Sequence, residues 1–113
     1  MTAGAATETG ASLVWINTPD RRLALAIGRE LVGERLAGAV NVIDGVLSIH
    51  RWQGSVVETG EAVLVVKTRS DRVEAVVERV LALHSYACPC VVAVPIVAGS
   101  PEYLEWLATE AAE

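Results

Sequence analysis

Residues 39 to 68 read "AVNVIDGVLSIHRWQGSVVETGEAVLVVKT", two runs rich in Val and Ile on either side of the dipeptide Gln53-Gly54. β-Branched residues fit a pleated surface, and a short glycine-containing break between two such runs marks a β-hairpin. A long hairpin therefore occupies the middle of the chain. The flanking segments must cover one face of it or extend its edges.

Toward the N-terminus, "SLVWIN" at 12 to 17 is a short apolar run ended by "TPD". It predicts a strand feeding a helix, with Thr18 as N-cap and Pro19 in the first turn. Over 20 to 37, Ala24, Ile27, Gly28 and Leu31 follow the i, i+3, i+4, i+7 rule, a helix whose small residues allow close approach to a sheet. Beyond the hairpin, Val73, Val76, Val77, Val80 and His84 share one helical face, with Ser70 or Thr68 as cap. "VVAVPI" at 91 to 96 predicts a last strand. "SPEYLEWLATEAAE" predicts a final helix with Ser100 as cap, Pro101 at its first position and Leu104, Leu107, Ala108 and Ala111 on one side. The order is βαββαβ plus a terminal helix, an α+β arrangement of the ferredoxin-like kind. Residues 1 to 11 read as a flexible tail and 12 to 113 as one domain.

The chain of 113 residues suits one core, and 52% hydrophobic against 20% charged residues excludes a disordered chain. Such an apolar surplus on a small domain points to surface covered by another copy. A net charge of −5 with only nine Lys and Arg offers a phosphate backbone little to hold, which excludes nucleic acid as a partner. No apolar run approaches the roughly 20 residues of a membrane span, and the first residues lack the features of a secretory signal. A cytoplasmic protein without membrane contact is expected. No glycine-rich phosphate loop or nucleophile elbow is present, so no enzyme is expected either.

"HSYACPC", residues 84 to 90, is where a histidine, a phenol and two thiols crowd together. Two cysteines cannot form a disulfide framework, and free cysteine is commonly buried, which predicts inert thiols in the core. Strand-like alternation would send Cys88 and Cys90 to the same side, so both face the core or both face a cleft. In a cleft they would join His84 as soft metal ligands, although two thiols and one imidazole fall short of a four-ligand zinc site.

The stretch "WQGSVVETGEAVLVVKT", from Trp52 to Thr68, resembles the W-x-G…E…K-T signature of the CutA divalent-cation-tolerance family. "NTPD", "RLAGAVNVIDGVLSI" at 35 to 49, the H-x-Y-x-x-P pattern at 84 to 89 and "EYLEW" at 102 to 106 fall in that family's order and spacing. The resemblance implies a ferredoxin-like homotrimer, similar in build to the PII signalling proteins. It further implies a role in tolerance of divalent metal ions, chiefly copper, with copper or another divalent ion as the cofactor. The positions matching Trp52, Glu61, Lys67, His84, Tyr86 and Trp106 are characteristic of the family, and several gather near a cleft between subunits. Here the chain departs from the family's "HPYExPE" stretch: Ser85 replaces the proline, and Ala87 and Cys90 stand where it offers carboxylates. His50 replaces the tyrosine usual before the tryptophan. Soft ions prefer thiolates, so a metal held by His84, Cys88 and Cys90 shifts toward copper or zinc. Two alternatives accompany this reading. A PII-like sensor would bind a small anionic or nucleotide ligand through Lys67 and Trp52, and a scaffold trimer would present its rim to another protein.

Overall fold

The computed structural model describes residues 9–112. Along the chain run β1 (Ala11–Thr18), α1 (Arg21–Gly33), β2 (Ala39–Trp52), β3 (Ser55–Arg69), α2 (Val73–Leu83), β4 (Val91–Ile96) and α3 (Pro101–Glu110). The strands form one antiparallel sheet in the order β2-β3-β1-β4. The element order and fold class are those expected from the sequence. At the hairpin tip Gln53 and Gly54 have φ of 50° and 83°. Two successive left-handed residues match the right-handed twist of paired strands, and glycine adopts that conformation without penalty.

Alternation along the central strands divides the sheet into two faces. Val14 and Ile16 of β1 and Leu64 and Val66 of β3 point to the helices and pack with Ala24, Ile27 and Leu31 of α1 and Val76 and Val80 of α2. The predicted stripe of α1, Ala24, Ile27, Gly28 and Leu31, is the set that it buries. Gly28 is the point of closest approach: a Cβ there would lie 3.0 Å from Val40 Cγ2. Leu107 of α3 and Ala111 just past its end are buried outside this cluster, with Leu107 packed against Gly38. Arg35 secures α3 further, donating to the Thr109 and Ala112 carbonyls at 3.0 and 2.9 Å, where a cation meets the negative end of a helix.

The other face is set by an irregularity. The β2–β3 register shifts between Ile43 and Val46, with Gly45 at a φ of 70°. Such a bulge reverses which residues of the strand face which side. Ile43 pairs with Val63, but after the bulge Val46, Ser48, His50 and Trp52 pair with Glu61, Thr59, Val57 and Ser55. Directly paired residues share a face. The even-numbered residues of the outer half of β2 thus join Glu61 on the side away from the helices.

Several local expectations are corrected. Asp20, not Thr18, caps α1, accepting from the Leu23 N–H at 2.8 Å. Thr18 is the last residue of β1, and its hydroxyl is engaged with the Ala62 and Asp20 carbonyls. The helix ends at Gly33 rather than Ala37, because Arg35 turns into the left-handed region and Leu36 and Ala37 both fold back onto the Leu31 carbonyl. Neither Ser70 nor Thr68 caps α2. A 3-10 turn over Ser70–Arg72 precedes it, while Thr68 bonds the Leu36 carbonyl and Ser70 bonds Ser12. Ser100 stands at the N-cap of α3, but its side chain makes no capping bond, and Ala108 is exposed. Of the expected tail, Ala11 already belongs to β1, Thr9 bonds the Ile96 carbonyl, and Gly10 accepts from Ser70 at 2.7 Å. Residues 1–8 lie outside the described residues.

Candidate functional site

The face opposite the helices carries a cavity of about 610 Å³ at the base of the projecting hairpin. Asn17 of β1, Ser48, His50 and Trp52 of β2, Thr59 and Glu61 of β3, and the loop residues Tyr86, Cys88 and Cys90 line it. The bulge turns the β2 side chains inward. The sheet order places β1 beside β3 and brings the loop that precedes β4 against them.

Asn17 organises this site. Its carbonyl lies 2.6 Å from His84 Nε2, and its N–H donates to the Cys90 carbonyl at 3.2 Å. Both ends of the loop 84–90 are therefore pinned to one residue of β1. The Asn17 side chain donates to Glu61 Oε1 at 3.2 Å, and the Tyr86 hydroxyl donates to Glu61 Oε2 at 2.7 Å. Burial pushes the Glu61 carboxyl up, but hydrogen bonds from Ser48, Tyr86 and Asn17 outweigh it and hold the group below its ordinary value. Burial, with Glu61 as hydrogen-bond acceptor beside it, pushes the Tyr86 phenol up to about 12. The pair is an ionised carboxylate held by a neutral phenol.

His84 is a structural clamp. One ring nitrogen meets the Asn17 carbonyl, and Nδ1 accepts the Tyr86 N–H at 3.1 Å, which makes the Nε2–H tautomer the one that fits. The ring lies 4.9 Å from that of Tyr86. With both nitrogens engaged, His84 has no lone pair left for a metal. Among the described residues no three His, Cys, Asp or Glu side chains are gathered to hold an ion, so His84, Cys88 and Cys90 do not form a ready metal cage. Both cysteines are exposed, which overturns the expectation that they lie in the core. The expectation that they share a side holds in that both line the cavity.

The other expected site residues divide into two groups. Trp52 lines the cavity with Glu61 and Tyr86. Lys67 and Trp106 do not. Lys67 lies on the same face of β3 as Glu61 but six residues further on, about 20 Å along the strand, and its ammonium sits 5.7 Å from the centre of the Tyr103 ring. Trp106 packs on the same Tyr103 at 5.5 Å. Sequence reasoning did not single out Asn17, Ser48 or Thr59. The odd-numbered phase of β1 would have pointed to Asn17, whereas Ser48 depends on the bulge.

An α+β sandwich of this order, with a hydrogen-bonded Glu–Tyr pair beneath an open hairpin face, defines a small ferredoxin-like protein with a cavity on its sheet. The chain belongs to the CutA1 divalent ion tolerance family, whose model matches residues 12–110. It is 48% identical over 95 residues to the divalent-cation tolerance protein CutA of Thermus thermophilus, covering 84% of this chain and 92% of that protein. It is 39% identical to the chloroplastic CutA of Arabidopsis thaliana, of which it spans 52%. The crystal structure of CutA from Xylella fastidiosa superposes with a TM-score of 0.89 at 41% identity, covering 91% of this chain and 99% of that one.

Proposed function

We propose that the protein acts as a homotrimer in tolerance of divalent metal ions, copper foremost, without catalysing a reaction. The observation that carries the oligomer is the uncovered sheet face. Trp15, Val92 and Val94 on that face are 43%, 53% and 53% exposed. Apolar residues grouped this way on one side of a small domain fit burial against further copies. A radius of gyration of 14.7 Å exceeds the roughly 13 Å of a compact chain of this length, as suits a flat subunit. The metal role is supported by relatives that are named divalent-cation tolerance proteins.

Glu61, His84 and Tyr86 do converge, but their protons are committed. General acid–base work calls for a group poised near neutral pH, and this phenol and carboxylate are driven away from it in opposite directions. That favours a binding role over an enzymatic one. A nucleotide sensor using Lys67 and Trp52 is not favoured, because Lys67 pairs with Ala39 at one end of the β2–β3 ladder and Trp52 with Ser55 at the other. Free thiols suit a reducing compartment, which supports a cytoplasmic location.

Native mass spectrometry tests the assembly and should give the mass of three chains; a monomer under native conditions overturns it. The metal role is tested by supplying the protein to a host lacking its own relative. Growth in elevated copper should improve, and unchanged growth refutes the role.

A further inference from the structure

Among the described residues Glu61 is the only acid lining the cavity. It is 9% exposed. Its oxygens accept from Asn17 at 3.2 Å and from Tyr86 at 2.7 Å, and Ser48 adds a third hydrogen bond. All three donors are neutral. Among the described residues no Lys, Arg or His nitrogen makes a salt bridge to it, and His50, the one base whose charge it feels, acts on it more weakly than any of the three hydrogen bonds. A charge taken this far out of water is ordinarily paired with an opposite one. Dipoles hold this charge without cancelling it. A carboxylate offers about four acceptor positions, so the bonds already made leave room for a further donor.

We propose that the cavity binds a small organic cation, a primary amine with an apolar or aromatic body, whose ammonium group is the counter-ion of Glu61. The β2–β3 ladder arranges the rest of the contact. Ser48 stands opposite Thr59 next to the Val46–Glu61 pair on that face, and His50 and Trp52 follow outward along β2. An ammonium at Glu61 thus sits at the polar inner end, where the Ser48 and Thr59 hydroxyls can accept its remaining N–H groups. The body of the molecule runs toward the flat ring of Trp52, with Tyr86, Cys88 and Cys90 as the other wall. A volume of about 610 Å³ suits an organic molecule. A metal ion does not fit the donor set, because no three His, Cys, Asp or Glu side chains are gathered among the described residues. An anion is disfavoured by the sign of the charge at the inner end. The inference goes beyond the metal-tolerance reading and does not depend on it.

The test is isothermal titration of the native protein with tryptamine, a primary ammonium on an aromatic body, and with tryptophol, in which a neutral hydroxyl replaces the amine. Tryptamine should bind with a Kd of about 1 mM or tighter. Tryptophol should bind at least about tenfold more weakly, the difference that a charge-assisted hydrogen bond makes. Glu61→Gln keeps the shape and removes the charge. It should weaken tryptamine by about tenfold or more and bring the two probes to similar affinity. That convergence separates loss of the counter-ion from general damage to the cavity, which weakens both probes alike. Trp52 is 47% exposed, so Trp52→Ala should melt with the parent, and it should weaken both probes by about three- to tenfold. NMR signals moved by tryptamine should be those of Ser48, Trp52, Thr59 and Glu61, not those of Tyr103 and Trp106, which pack together outside the cavity. The ratio of the two probes in the native protein decides even where Glu61→Gln does not fold. Equal affinity of the two probes for the native protein, undiminished tryptamine affinity in Glu61→Gln, or no binding of tryptamine at about 10 mM overturns the proposal.

Discussion

On the helix side of the sheet, Val14, Ile16, Leu64 and Val66 are sealed from water, whereas on the other side Trp15, Val92 and Val94 stay about half exposed beside a carboxylate–phenol pair. The same strands supply both sets, one residue apart. Period-two alternation lets one strand answer two demands at once, since each change of face changes the neighbours without changing the backbone. The helix-covered core therefore draws on even-numbered residues of β1 and β3, and the cavity on odd-numbered ones.

The comparison breaks first at the core. Leu64→Ala removes a fully buried side chain that packs on α1. It should cost about 3 kcal/mol in thermal or denaturant melts. A cost below about 1 kcal/mol would mean that the helix side is not where the stability resides.

The site face offers a smaller effect with a distinctive pH signature. Tyr86→Phe deprives Glu61 of its shortest hydrogen bond and should cost about 1–2 kcal/mol near neutral pH. The folded-state value of Glu61 lies below 4.5, so its contribution is present above that pH and is lost as pH falls through the folded value. Tyr86 is shifted the other way, from 10.0 to about 12, so its contribution is full below pH 10 and is lost as pH rises toward 12. The parent should be most stable on the plateau between these limits. The variant should approach the parent's stability below the folded-state value of Glu61, and it should lack the alkaline limb. Melts that track the parent at a constant offset from pH 3 to 12 would show that the pair is not the titrating unit.

At the start of α1, Asp20→Ala removes the carboxylate that accepts from Leu23. A loss of about 1 kcal/mol in the melt is expected. The corresponding Thr18→Val should instead disturb the β1–β3 edge, where its hydroxyl reaches the Ala62 carbonyl.

How much of this was legible in the sequence follows from the range of the interaction concerned. The α1 stripe and the bounds of β4 are local patterns, and periodicity alone places them. The cap of α1 was misplaced by two residues because Thr18 and Asp20 are both good caps, and only the strand pairing decides which hydroxyl or carboxylate is already engaged. Lys67 and Glu61 both belong to the family's characteristic set, but distance along β3 assigns them to separate clusters. The bulge after Ile43 was not foreseen, so the phase of Ser48, His50 and Trp52 could not be read. The thiols were expected in the core from the habits of free cysteine. Pinning of the loop to Asn17 is a long-range event, and it prevails over that habit.

The smallest expected effect is also the most local. The hairpin tip projects beyond the helices and is held chiefly by its own ladder, from Val46 opposite Glu61 out to Trp52 opposite Ser55. Gly54 sits there at a φ of 83° with nothing within 4 Å of where a Cβ would be. Gly54→Ala meets no steric obstacle from neighbours, only the strain of a left-handed alanine, which amounts to about 1 kcal/mol. Because the tip can open without disturbing the helix-covered core, that cost should fall on local opening rather than on global unfolding. Hydrogen exchange should accelerate across 48–59 while exchange at Val14, Ile16 and Leu64 stays unchanged and the melting temperature barely moves. Equal acceleration in both regions would show that the two faces unfold as one unit and that the hairpin wall of the cavity is no softer than the core.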